Sequence, residues 1–182
     1  MQRGRERLHL GRRRLLGWGS ALPGPAISTA SLCERIEQGF GVATMRHARL
    51  LAPRLGVQFR HLCRDFTQAI ESPRAGARNP ELAAQALLAA QQRAGCMPDS
   101  LAYLISHTAT PAQWLPSGSA EIARLCGHTG AHAELRQACT GFANALQFAF
   151  ALTQTPSDAP VGIVGVETGS VFFDPLQLAQ PG

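Results

Sequence analysis

Apolar positions between Asn79 and Gly95 recur at helical spacing, with Ala83, Leu87, Ala90 and Ala94 forming one stripe. Asn79-Pro80-Glu81 supplies a capping side chain, a proline at the first position and an acid in the first turn. Gly95 supplies the stop, so the pattern predicts a helix over Asn79 to Ala94. Leu101 to His107 is a short apolar run and reads as a buried strand. Ser117 opens a second helix that Gly127 closes. Glu134 to Ala138 reads as a strand running straight into Cys139. From Gly141 to Thr153 the chain is almost wholly apolar; Asn144, Gln147 and Gln154 mark one narrow polar face, which predicts a helix buried on most sides. Ala159 to Val166, rich in glycine and valine, closes the series as a strand.

The flanks are less regular. Arg14 to Gly19 predicts a short strand that turns at Ala21-Leu22-Pro23-Gly24-Pro25. Ser31-Leu32-Cys33-Glu34 has the capping-box spacing, which predicts a short helix ending near Gly39. Residues 41–78, rich in Arg and His, read as loops and short pieces. Asp174 to Gly182 carries no element, so the chain is read as stopping in mid-architecture. Strands alternating with helices at this spacing imply an α/β layer with right-handed crossovers.

Composition narrows the class. Of 182 residues, 45% are hydrophobic and 16% charged, which is globular and unlike a disordered chain. That low charge fits a surface partly covered by something else, a second half or a dimer partner. No run approaches the ~18–20 apolar residues of a membrane span, and the N-terminus lacks the apolar core of a secretory signal. The net charge is +5, and every one of the seventeen basic residues is Arg. Six of these fall within the first fourteen residues, so residues 1–13 read as a basic leader without structure and 14–182 as the domain. Without interleaved aromatics or a binding motif the leader does not point to nucleic acid. Basic charge elsewhere suits an acidic carrier protein or a phosphate-bearing thioester.

Five cysteines, odd in number and widely spaced, make no C-x-x-C pair and no secreted disulfide framework, so reduced thiols in the cytoplasm are expected. His128 and His132 are four apart, but Gly130 between them argues against a helical ligand pair, and no metal is expected. Cys139 stands apart from the other four. It sits where a predicted strand meets a predicted helix, and unpaired N–H groups at a helix start favour thiolate and cradle an oxyanion. Gly141 reads as clearance for a substrate, and Glu167 as a strand-end hydrogen-bonding group. From the residues alone, a reactive thiol and an inert buried one remain alternatives.

Four segments, in order, carry a resemblance. Ala138-Cys139-Thr140-Gly141-Phe142-Ala143-Asn144-Ala145-Leu146 resembles the A-C-[AS]-G-F-x-x-A-L signature of β-ketoacyl-ACP synthase III. His107-Thr108-Ala109-Thr110-Pro111-Ala112-Gln113-Trp114-Leu115-Pro116-Ser117 resembles that family's A-T-T-T-P-D-x-x-F-P-S loop. Val164-Gly165-Val166-Glu167 through Phe173-Asp174-Pro175 resembles the strand and turn after the nucleophile helix, and Arg54 to His61 more loosely resembles R-T-G-I-x-x-R. The likeness runs from about Leu15 to Pro175. It implies the N-terminal half of the thiolase-like αβαβα layered fold (βαβαβαββ), a mixed sheet with a buried nucleophile helix. It makes Cys139 the acyl-accepting catalytic residue and Arg54, Leu115 and Phe142 candidate substrate-binding residues.

Acyl-ACP or acyl-CoA is then the substrate, with no other cofactor. The implied partners are an acyl carrier protein and a homodimer or complementary C-terminal ketosynthase half, with neither nucleic acid nor membrane. The family's histidine and asparagine, which bind the thioester carbonyl during decarboxylation, belong to its second half, so this chain alone is not expected to condense. A non-catalytic docking module and an acyltransferase on the same fold are the rival readings. Leu50, Leu115 and Leu178 replace a CoA-stacking tryptophan, a tunnel phenylalanine and an arginine found in some members, which fits an altered acyl pocket.

Overall fold

A computed structural model describes residues 13–41, 45–64, 66, 78–154 and 159–176. Strands β3 (Tyr103–His107), β4 (His132–Leu135) and β5 (Val161–Gly165) form a parallel sheet in the order β4-β3-β5. Helix α4 (Gly118–Cys126) crosses from β3 to β4, and α5 (Gly141–Leu152) crosses back over β3 to β5. Because the second crossover reverses direction around the central strand, the two helices cover opposite faces.

Alternation along β3 and β5 reports the same division. Leu104 and Val164 join the core of α3 (Asn79–Ala94) and α4, with Ala83, Leu87, Ile122 and Ala123. His107 and Gly165 point the other way, against Gly141 and Phe142 of α5.

Helix α3 ends at Gly95, which takes the left-handed conformation (φ 65°) that glycine adopts without cost. Its start differs from expectation. Arg78 is the N-cap, and Asn79, one residue inside, uses its side chain for contacts beyond the helix. Helix α1 (Thr29–Phe40) starts earlier than the Ser31 box implied: its N-cap is Ser28, three residues before Ser31, and the Ser28 side chain accepts from Ser31 N–H. Residues 41–78 contain more than loops: α2 (Arg46–Arg54) and β2 (Phe59–Arg60), which pairs antiparallel with β1 (Ile27–Ser28). Cys33, Ile36, Met45 and Phe66 form a second, smaller core there. Among the described residues antiparallel pairing occurs only between β1 and β2, and the sheet beneath Cys139 is parallel where a mixed one was expected.

Two further expectations are corrected. Residues 14–19 make no strand; Gly17 and Gly19 lie flat on α3, so close that a Cβ on either would collide with the backbone of Ala90. Arg93 fixes this segment by donating to the Trp18 carbonyl at 2.6 Å and stacking on the indole. Helix α5 is buried only at Gly141 and Ala145. Its other apolar residues stay open because, among the described residues, the sheet packs on one side alone; Phe148 is 52% exposed. The basic leader lies outside the described residues except Arg13, which donates to Thr153 Oγ1 at 2.7 Å and caps the Phe150 ring. No helix among the described residues is long and apolar enough to cross a membrane.

Candidate active site

The three parallel strands end together, and the loops leaving their carboxyl ends converge, which is where open α/β sheets place ligands. β4 stops at Leu135, earlier than the sequence pattern implied. A 3-10 turn, Ala138–Thr140, then leads into α5 with Cys139 at its centre, exposed. Cys139 therefore stands at a strand-to-helix junction, in a tight turn rather than at the end of a continuous strand.

The turn is strained and well tied. Ala138 has φ 41°, a region disfavoured for any residue with a Cβ. Thr140 Oγ1 donates to the Gln137 carbonyl at 3.2 Å, and the Asn144 amide on α5 donates to Gln137 Oε1. On the strand side Arg136 pairs with Glu134 at 2.6 Å; the Glu134 side chain is only 3% exposed and presses on Gly118 at the start of α4. The same guanidinium donates to the carbonyls of Gln113 and Trp114, holding the 113–116 loop beside the end of β4.

Beneath the turn lies His107, the last residue of β3 and 6% exposed. Its Nδ1–H donates to the Leu135 carbonyl at 3.2 Å, and Nε2 is 3.7 Å from Glu167 Oε1. The ring occupies the space that a side chain on Gly141 would need. Clearance at Gly141 thus serves an imidazole of the chain itself, which revises the reading of that glycine as room for substrate. The revision was open to sequence reasoning at one point: a histidine stands where the resembled loop begins with alanine.

Glu167 belongs to a polar network. Oε1 accepts Ala109 N–H and Oε2 accepts the Thr110 hydroxyl, both at 2.8 Å, while Thr110 Oγ1 accepts Thr168 N–H at 2.8 Å. The buried Asn79 amide divides its hydrogens among Thr108 Oγ1 (2.8 Å), the Thr110 carbonyl (3.0 Å) and the Val166 carbonyl (3.3 Å). Asn79 was legible as a cap; its role across three segments was not.

The other candidates lie at varied distances from this centre. Phe142 follows the turn on α5 and packs over Gly165. Leu115 is 86% exposed and Trp114 80% exposed, so neither is core in this chain. Arg54 ends α2 and is exposed, as is Leu50, while Leu178 lies outside the described residues. His128 is buried against Gly130 and its Nε2 meets the Ala131 carbonyl at 3.1 Å; His132 Nδ1 meets Ser119 Oγ at 3.1 Å. Among the described residues no cluster of three His, Cys, Asp or Glu side chains could hold a metal ion. Burial pushes the Cys126 thiol up to about 11 and also raises Cys33 and Cys63. A shallow groove of about 350 Å³ runs along the far half of α5, lined by Leu146, Phe150 and Ala151, and does not include Cys139.

No protein-family model matches the chain. It is 30% identical over 162 residues to the β-ketoacyl-[acyl-carrier-protein] synthase III of Sphingopyxis alaskensis, covering 88% of this chain and 44% of that protein. The corresponding protein of a Bradyrhizobium species is 28% identical over 161 residues, with the same two coverages, 88% and 44%. Among solved structures, a tetronic acid condensing enzyme superposes with a TM-score of 0.72 at 27% identity, over 88% of this chain and 45% of that one. The 3-oxoacyl-[acyl-carrier-protein] synthase III of Aquifex aeolicus superposes with a TM-score of 0.64 at 23% identity, over 88% and 46%. The chain spans less than half the length of the relatives it matches. Sequence likeness and fold agree across most of its residues: the chain is similar to β-ketoacyl-ACP synthase III and has the fold of half a thiolase-type condensing enzyme.

Proposed function

We propose that Cys139 accepts an acyl group from a carrier thioester, as the first half-reaction of a condensing enzyme of the 3-oxoacyl-ACP synthase III type. The observation that carries this reading is the exposed sulfur in a strained turn between a parallel strand end and the start of α5. In the first step the Cys139 thiolate attacks the thioester carbonyl, a new C–S bond forms, and the carrier thiol leaves with a proton. N–H groups of the first turn of α5 beyond Gly141, whose own N–H donates to the Ala138 carbonyl, stabilise the developing oxyanion. In the second step a malonyl thioester loses CO2, and its carbanion attacks the acyl-Cys139 carbonyl and releases the thiolate. That step needs donors aimed at an enolate, supplied through a complementary C-terminal half.

Within this reading Phe142 and Leu115 line the acyl channel, Leu115 across a homodimer, and Arg54 contacts phosphate on the incoming carrier. The partners are an acyl carrier protein and the half or copy that covers α5, in the cytoplasm, where the five free thiols stay reduced. A simple acyltransferase would share the acyl-Cys139 intermediate and differ only in the group that takes the acyl chain.

The test is direct. Incubation with an acyl-ACP, followed by peptide mass spectrometry, is expected to find the acyl mass on Cys139 and none in Cys139→Ser. Absence of the adduct, also after co-expression with a complementary half, removes the enzymatic reading. The alternative then stands: a non-catalytic dimerisation or carrier-docking module, favoured by the open apolar face of α5.

A further inference from the structure

We propose that His107 is the positioning residue for Cys139, a single imidazole that sets both ends of the turn bearing the nucleophile. This rests on the reading of Cys139 as the acyl acceptor and adds a determinant to it. The residues from Arg136 to Thr140 connect Leu135, the last residue of β4, to Gly141, the first of α5. His107 touches both. Its Nδ1–H donates to the Leu135 carbonyl, and its ring fills the space under Gly141.

The ring itself has little freedom. It is 6% exposed, its backbone carbonyl accepts Val166 N–H at 3.0 Å, and Nε2 faces Glu167 at 3.7 Å. Glu167 is in turn held by Ala109 N–H and the Thr110 hydroxyl. Ala138 supplies an independent reason for such a clamp. Its positive φ is costly and persists only where the surroundings fix the chain on both sides. A carbonyl anchored before the turn and a helix start seated after it meet that need. His107 does not transfer a proton to the sulfur in this scheme; it fixes where the sulfur stands.

Two substitutions of the full chain separate placement from bulk. His107→Leu fills the space without a donor, and His107→Asn restores an N–H at the δ position. The readout is the rate at which Cys139 takes a hexanoyl group from hexanoyl-N-acetylcysteamine, followed by intact mass, with the unfolding midpoint measured alongside. The leucine variant is expected to fold and to acylate about tenfold to a hundredfold more slowly, the cost of ångström-scale misplacement. The asparagine variant is expected to recover most of the rate. A folded leucine variant as fast as the wild type overturns the proposal, as does an asparagine variant no faster than leucine. If leucine prevents folding, His107→Gln, whose amide lies one bond farther out, replaces it and is expected to remain slow; equal rates for Gln and Asn overturn the proposal. A wild type that takes no hexanoyl group defeats the Cys139 reading first and this proposal with it, whereas the variants discriminate only when the wild type reacts.

Discussion

Gly141→Ala is the substitution whose outcome this structure constrains most tightly. Elsewhere in a helix the change is favourable, by roughly 0.5–1 kcal/mol, because alanine has less backbone freedom to lose. Gly141 has an ordinary helical backbone (φ −62°, ψ −38°), so no conformational demand singles out glycine. The obstacle is the neighbour. A methyl group there would overlap Nδ1, Cε1 and Cγ of the buried His107 ring. Relief requires the ring or the start of α5 to move. Overpacking of this kind costs about 1–3 kcal/mol, and losing the Nδ1–H bond to Leu135 about 1 more, against the propensity gain. The net expectation is a loss of about 1–3 kcal/mol, a fall in unfolding temperature of roughly 2–12 °C for a chain of this size. Thermal and urea unfolding would measure it. In a His107→Ala background the same substitution should be nearly free, since the obstructing ring is gone; the difference is the coupling between the two positions. Equal costs in both backgrounds, or a Gly141→Ala chain as stable as the wild type, would refute the close approach.

The remaining expectations concern other parts of the molecule. Gly17→Ala or Gly19→Ala should lift the 13–26 segment from α3, destabilising by about 1–3 kcal/mol and speeding proteolysis near Leu22. Asn79→Ala leaves Thr108, Thr110 and Val166 without a buried donor and should cost about 1–3 kcal/mol in urea unfolding. Cys126 stays protonated in the fold up to about pH 11 and from about 9.0 upward ionises in the unfolded chain. The unfolded state then binds fewer protons, so stability should fall as pH rises through that window, and a flat urea midpoint from pH 8 to 11 would contradict it. The apolar face of α5 should make the isolated chain associate in light scattering, and Leu146→Gln with Phe148→Gln should reduce this; a monodisperse wild-type monomer would refute it.

What the sequence disclosed was mostly local. Gly95 and Gly127 end their helices as read, because a left-handed C-cap is decided within one turn of backbone. The strand at 103–107 and the helix after Gly141 carry their hydrophobicity in contiguous runs. Misreadings share a nonlocal cause. Asn79 looked like a cap, yet its amide is committed to residues 29, 31 and 87 positions away. The strand before Cys139 was drawn too long, because what ends it is Arg136 turning to Glu134 and to the 113–114 carbonyls. Helix α2 escaped notice because only Ala52 is buried in it and Pro53 lies inside it, leaving little periodic signal. Around Cys139 the strand-to-helix placement of the thiol was legible from the sequence, as was a histidine at the end of the preceding strand; the contact of that His107 ring with Gly141 was not, since the two lie thirty-four residues apart in the chain.

The Asn79 amide has a dynamic corollary. It joins the start of one helix, the loop leaving β3 and the end of β5, while Glu167 and Thr110 lock the same loops to each other. These segments cannot breathe one at a time. The amide protons of Ala109, Thr110 and Thr168 all end on this cluster, so their exchange with solvent deuterium should share one opening event and one rate-limiting free energy. The floor beneath Cys139 is then a single cooperative plate, and a loosening anywhere along it is felt across the whole.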